Sequence, residues 1–215
     1  MPRNLDLPPD FLLETVNEKA LSRAQSLTNL KRRADFLWGR VLLTHLAQSI
    51  DHKALLSERP PKTPEIMGSC LPLYATISHT QTWIGAAVSD CPVAIDLEVM
   101  ARERAKPAIF DRVFGEGAWE KYALEDPVGL FYRTWGLYEC SVKLEGKLKG
   151  VAGDAKVFLK DPQSEKACVH DFFQLSQNTL LTVVGDFKSV TLEVIQVKGN
   201  RSVSIPYTEA LDVTP

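Results

Sequence analysis

The sequence predicts an α/β (α+β) fold built as a pseudodimer, in which two similar subdomains each pack a small antiparallel sheet with a long helix. Three observations carry that prediction. A helical pattern from Thr28 or Asn29 to about Ile50 precedes three short strand patterns between Leu71 and Glu98. A second strong helix start, Asp126-Pro127, precedes another strand-rich stretch. That stretch matches the first in strand length, turn length and apolar alternation, about 97 residues downstream.

In chain order, Asp10 is placed to cap a helix through about Gln25, with Phe11, Leu12, Val16, Ala20 and Leu21 near helical spacing. The next helix carries Leu30, Ala34, Leu37, Val41 and Leu42 as its buried stripe, flanked by Arg33 and Arg40. Seven residues apart, those two arginines stand on one side of the helix with about 10 Å between them, a span that suits two phosphate groups of one extended ligand. Solvated arginines beside a core stripe would look the same. Residues 57–70 read as loop, because Pro60, Pro61, Pro64 and Gly68 remove donors or fix φ.

Three strands follow, Leu73 to Ile77, Trp83 to Val88 and Val93 to Leu97, with Ser78 and His79 where the first meets its turn. Met100 to Pro107 reads as a linker, and a short helical piece lies around Phe114 to Leu124. The helix opened by Asp126-Pro127 has its stop at Gly146 or Gly150 and carries Trp135, Glu139 and Lys143 at successive i,i+4 positions along one face. In the downstream copy, Leu175-Ser176, Leu180 to Val184, Asp186 and Val190 to Val194 match Ile77-Ser78, Trp83 to Ala87, Ser89 and Val93 to Leu97. Gln177 and Ile195 replace His79 and Glu98 there, so one functional site is expected, shared by subdomains 1–99 and 100–215.

Composition bounds the partners. A chain of 215 residues with 45% hydrophobic and 24% charged residues is ordinary for a globular protein, and a net charge of −2 gives no general field for nucleic acid. Cys70, Cys91, Cys140 and Cys168 lie far apart with no Cys-x-x-Cys pair, which argues against structural zinc and for reduced thiols. With no apolar signal core after Met1 and no run of roughly 18 apolar residues, the expectation is a cytoplasmic monomer with no membrane partner.

The chemistry centres on Val93-Ala94-Ile95-Asp96-Leu97-Glu98. Alternate side chains on a strand share a face, so Asp96 and Glu98 project together. Two carboxylates on one ledge suit a hard cation such as Mg²⁺. Taken alone, Asp-x-Glu equally describes the solvated face of an edge strand, Glu139 and Lys143 equally describe a surface ion pair, and His79 a structural histidine.

Three blocks together decide the reading: Ile77-Ser78-His79-Thr80, Val93 to Glu98, and Trp135-Gly-Leu-Tyr-Glu139-Cys-Ser-Val-Lys143-Leu-Glu-Gly146. In order, type and spacing they resemble the signature of 4′-phosphopantetheinyl transferases of the Sfp type, over about Arg33 to Gly146. The segment from Arg33 to Arg40 likewise resembles that family's coenzyme A-contacting helix. The resemblance implies a pseudodimer with coenzyme A in the cleft between its halves. It implies Mg²⁺-dependent transfer of the 4′-phosphopantetheine arm of coenzyme A to a serine of an apo carrier protein, releasing 3′,5′-ADP. It casts Asp96, Glu98 and Glu139 as the metal ligands, Glu139 also as general base, Lys143 on the diphosphate, and Ser78 with His79 on a coenzyme A phosphate. Arg33, Arg40 and Lys62 would grip the 3′-phosphate end, although Pro61-Lys62-Thr63-Pro64 lacks the glycine of the family's Gly-Lys-Pro. Tyr138 stands where relatives carry a lysine. Lys143, Lys147 and Lys149 form a basic patch suited to an acidic carrier protein, or a solvated helix end. The alternatives are a paralogue that binds carrier protein or coenzyme A without turnover, and an unrelated Mg²⁺-dependent enzyme acting on another diphosphate.

Overall fold

The structure is a computed structural model that describes residues 7–59, 64–80, 83–122, 125–144, 169–176, 178–185, 193–198 and 201–206. Lys62, Lys147, Lys149 and residues 186–192 of the downstream copy lie outside them. The described architecture is α+β, with helices packed on small antiparallel sheets, as expected.

The N-terminal helix divides into α1 (Asp10–Leu13) and α2 (Glu18–Ser26). Asn17 causes the break: its side-chain oxygen accepts from Ala20 N at 2.9 Å while its amide donates to Leu56 O at 2.9 Å, so α2 has its own cap. Asp10 lies inside α1 and makes no capping bond. Helix α3 (Leu30–Ile50) starts as its cap predicts, with Asn29 accepting from Arg32 N. Its buried side includes Ala34, Leu37, Trp38, Val41, Leu43 and Ala47, whereas Leu30, counted in the sequence stripe, is 69% exposed. Strand β1 (Leu55–Ser57) ends where the stretch read as loop begins and pairs antiparallel with β2 (Glu65–Met67) inside it, both too short to leave a periodic signal.

β3 (Tyr74–His79) and β4 (Ile84–Ser89) form a hairpin. β5 (Val93–Val99) does not extend it by a backbone ladder. It pairs antiparallel with β7 (Thr179–Gly185), which also pairs with β6 (Val169–Ser176), giving the order β5-β7-β6. The last strand of the N-terminal stretch therefore belongs to the C-terminal sheet. On the side toward β3, Leu97 N donates to Ser78 Oγ at 3.0 Å and Ile95 N to Thr76 Oγ1 at 3.5 Å. Thr76 and Ser78, two apart on one face, thus satisfy strand donors that lack a ladder partner there. β8 (Glu193–Lys198) and β9 (Arg201–Pro206) form a further antiparallel pair.

Between the sheets lie α4 (Pro107–Phe114) and α5 (Ala118–Tyr122), where one short helical piece was expected. Helix α6 (Pro127–Leu144) begins with Asp126 Oδ1 accepting from Gly129 N at 2.9 Å. Helices α3 and α6 begin 97 residues apart, at Leu30 and Pro127, and each precedes an antiparallel strand pair. Among the described residues no helix is long and apolar enough to cross a membrane.

Candidate active site

The face of β5 that carries the acids is fixed by its apolar neighbours. Val93, Ile95 and Leu97 pack with Leu181 and Val183, while Ala94 packs on the other side with Leu137, Cys140, Leu144 and Val184. Asp96 and Glu98 share the parity of Ala94, so they face α6. The approach is close because Gly136 has no side chain: a Cβ there would run into Thr182 Oγ1 and lie 2.9 Å from Thr182 Cβ. One and two turns beyond Gly136, Glu139 and Lys143 come over the acid pair.

Lys143 Nζ donates to Asp96 Oδ1 at 2.7 Å, to Ile95 O at 2.9 Å and to Ser78 Oγ at 3.4 Å. Ser78 Oγ also donates to Asp96 Oδ1 at 3.2 Å, so this hydroxyl joins both sheets and the acid. Asp96 is 5% exposed, and its Oδ2 is buried without a hydrogen-bond partner among the described residues. Burial first, and then the charges of Asp96 and Glu139, push the Glu98 carboxyl up to about 7 against the opposing pull of Lys143 and Arg104. Glu139 is raised for the same reasons, by burial and then by Asp96, with Lys143 opposing. Three carboxylates thus crowd one partly buried place with one ammonium among them.

That donor set fits a hard divalent cation. All its oxygens are carboxylate, their mutual repulsion is what a cation relieves, and Asp96 Oδ2 is a buried acceptor lacking a donor among the described residues. In their present conformations no group of three His, Cys, Asp or Glu side chains among the described residues is closed around an ion site. The Lys143 ammonium holds one Asp96 oxygen instead.

The other residues singled out in the sequence occupy different places. His79 follows Ser78 on β3 and so points to the opposite face, where Nδ1 stands 3.9 Å from Asp35 Oδ2. Arg33 closes the end of α2, donating from Nε and Nη2 to Leu27 O at 3.2 and 2.8 Å and from Nη2 to Gln25 O at 3.3 Å. Arg40 is buried in a two-point pair with Glu58, at 2.7 and 3.0 Å, and lies 4.1 Å over the Phe36 ring. Both guanidinium groups are engaged by protein partners. Tyr138 is 36% exposed and packs 5.7 Å from the Trp135 ring, which itself stacks on Phe131. Sequence reasoning passed over Thr76, Arg104, Lys31 and Asp35. The Thr76-x-Ser78 alternation was a legible signal for the first, and nothing in the local pattern marked the others.

No protein-family model matches the chain. It is similar to 4′-phosphopantetheinyl transferase psf-1 of Bacillus pumilus, 24% identical over 157 residues, covering 65% of this chain and 65% of that protein. The chain therefore spans just under two thirds of that relative's length.

Proposed function

We propose that the protein is a 4′-phosphopantetheinyl transferase of the Sfp type, moving the 4′-phosphopantetheine arm of coenzyme A to a serine hydroxyl of an apo carrier protein. The observation that carries this reading is the meeting of Asp96 and Glu98 on β5 with Glu139 and Lys143 on α6. Similarity to a protein named for that activity supports it.

In this reading Asp96, Glu98 and Glu139 would hold Mg²⁺, which would supply positive charge to the diphosphate of coenzyme A. Phosphoryl transfer depends mainly on positioning and charge neutralisation, and these side chains suit both. Glu139, with its raised affinity for a proton, takes the proton of the acceptor serine as its oxygen attacks the β-phosphorus, a role typically worth about 10²- to 10⁴-fold. Lys143 turns from Asp96 to the diphosphate oxygen that leaves with 3′,5′-ADP. His79 takes a coenzyme A phosphate on the far face of β3, while Ser78 acts from the seam by holding Asp96. For Arg40 to contact ligand it would have to leave Glu58, whose side chain is 4% exposed. Breaking a buried pair costs about 3–5 kcal/mol, so direct contact by Arg40 is disfavoured, and it contributes by fixing α3. Arg33 would give up the last carbonyls of α2 in the same way. Tyr138, on the exposed side of α6, faces the carrier protein rather than the metal.

The test is incubation with coenzyme A, Mg²⁺ and a panel of apo carrier proteins, read by intact mass. Addition of one phosphopantetheine to a carrier, abolished by chelator and by Asp96→Ala, is the expected result. Coenzyme A binding without transfer to any carrier, reversed by Tyr138→Lys, would select the non-catalytic paralogue instead.

A further inference from the structure

Asp35 is a buried charge that the acid cluster does not use. It lies on α3 at 6% exposure, with Lys31 Nζ donating to its Oδ2 at 2.6 Å from one turn earlier. The same ammonium reaches Thr80 O at 3.5 Å, and His79 Nδ1 faces Oδ2 at 3.9 Å. Asp35 Oδ1 is buried with no hydrogen-bond partner among the described residues. A tie between helix and hairpin does not require an acid so deeply placed, since an exposed carboxylate could hold Lys31 without losing its own hydration. A carboxylate beneath two donors serves better to aim them.

The two sides of β3 separate the acid cluster from the group around Asp35. Ser78 points to Asp96 and the acid cluster, whereas His79 points to α3. A phosphate beside His79 is therefore not the phosphate at the acids. One ligand that meets both needs two separated phosphate groups, as a nucleotide with a ribose phosphomonoester and a diphosphate at its other end has.

We propose that Asp35 is a positioning residue for a phosphomonoester subsite: its carboxylate holds the Lys31 ammonium and the His79 imidazole side by side so that both meet one phosphate. Nδ1–H of His79 turns to Asp35 and Nε2–H faces outward to the phosphate, the ring holding its ligand as an imidazolium in which both nitrogens donate. The separation of 3.9 Å is longer than a hydrogen bond, and ligand-free contacts of this kind tighten in the complex. Of the three donors on Lys31, two are directed at Asp35 and Thr80, which leaves one for the ligand. The inference rests on coenzyme A as co-substrate and takes its 3′-phosphate as the group held.

Calorimetry on the full chain tests it, comparing coenzyme A with 3′-dephospho-coenzyme A. The parent is expected to prefer the 3′-phosphorylated ligand by about tenfold or more, the worth of a charge-assisted hydrogen bond. Asp35→Asn should lose most of that preference while binding 3′-dephospho-coenzyme A as the parent does. Nitrogen NMR of the imidazole, assigned with His79→Gln, should show a bound-state Nδ1–H that Asp35→Asn lacks, a change that a purely structural tie would not produce. Lys31→Met, at a partly exposed position, carries the same binding test should Asp35→Asn fold poorly. Full retention of the preference in Asp35→Asn overturns the role of Asp35, and full retention in Lys31→Met overturns the joint hold of Lys31 and His79 on one phosphate; either leaves the coenzyme A reading intact. Absence of any preference in the parent overturns the subsite, and absence of coenzyme A binding overturns both.

Discussion

Replacing Lys143 with methionine isolates the electrostatics of the site, because the stem is kept and the ammonium removed. Three hydrogen bonds disappear, to Asp96 Oδ1, Ile95 O and Ser78 Oγ, and three neighbouring carboxylates lose the ammonium set among them. A fully buried pair broken from one side costs about 3–5 kcal/mol, since the remaining charge stays dry. Here Asp96 is dry, but the Lys143 side chain is 28% exposed and water can relieve part of the loss. We therefore expect Lys143→Met to lower stability by about 2–3 kcal/mol in chelator near pH 7.5, roughly 4–12 °C in Tm for a chain of this size. The loss should shrink near pH 5, where Glu98, pushed up to about 7, has taken up a proton. Millimolar Mg²⁺ should restore more stability to the variant than it adds to the parent, because the ammonium no longer competes for Asp96 Oδ1. Thermal unfolding at both pH values, with chelator and with Mg²⁺, measures all of this. A variant as stable as the parent in chelator, with no greater response to Mg²⁺, would refute the picture of Lys143 as the cation of the acid cluster.

The Glu98 carboxyl is pushed up to about 7 in the fold from 4.5, so its contribution to metal-free stability should be full below about 4.5 and be lost as pH rises to about 7. Chemical denaturation across that window should show the decline, and Glu98→Gln should flatten it. Glu139→Gln removes a destabilised carboxylate and the proposed base together. Its turnover should fall by about 10²- to 10⁴-fold while its metal-free Tm stays level or rises, as steady-state kinetics and thermal unfolding would report. Gly136→Ala forces a methyl against Thr182 and should cost about 1–3 kcal/mol of overpacking, offset by the better helix propensity of alanine. Combining it with Thr182→Ala should recover part of the loss in denaturant melts.

Local chemistry was enough for the parts of this protein that local chemistry controls. Asn29 and Asp126 have short polar side chains that cap the two long helices, and the alternation of Val93 to Val99 puts Asp96 and Glu98 on one side of a strand. The i,i+4 spacing of Glu139 and Lys143 brought both to the same face of α6. Tertiary structure decided what each of those faces meets. β5 could have completed the hairpin beside it in sequence, but it pairs with β7 across a gap of some eighty residues, a choice made by the packing of Leu97 on Leu181 and of Ala94 on Val184. Partner choice also settled the cations. Seven-residue spacing put Arg33 and Arg40 on one side of α3, yet a loop carboxylate, Glu58, draws Arg40 inward and the end of α2 draws Arg33. Lys31, ordinary in the sequence, stands beside His79 because Asp35 is buried between them, and burial is a property of the assembled layers that no short stretch of chain encodes alone.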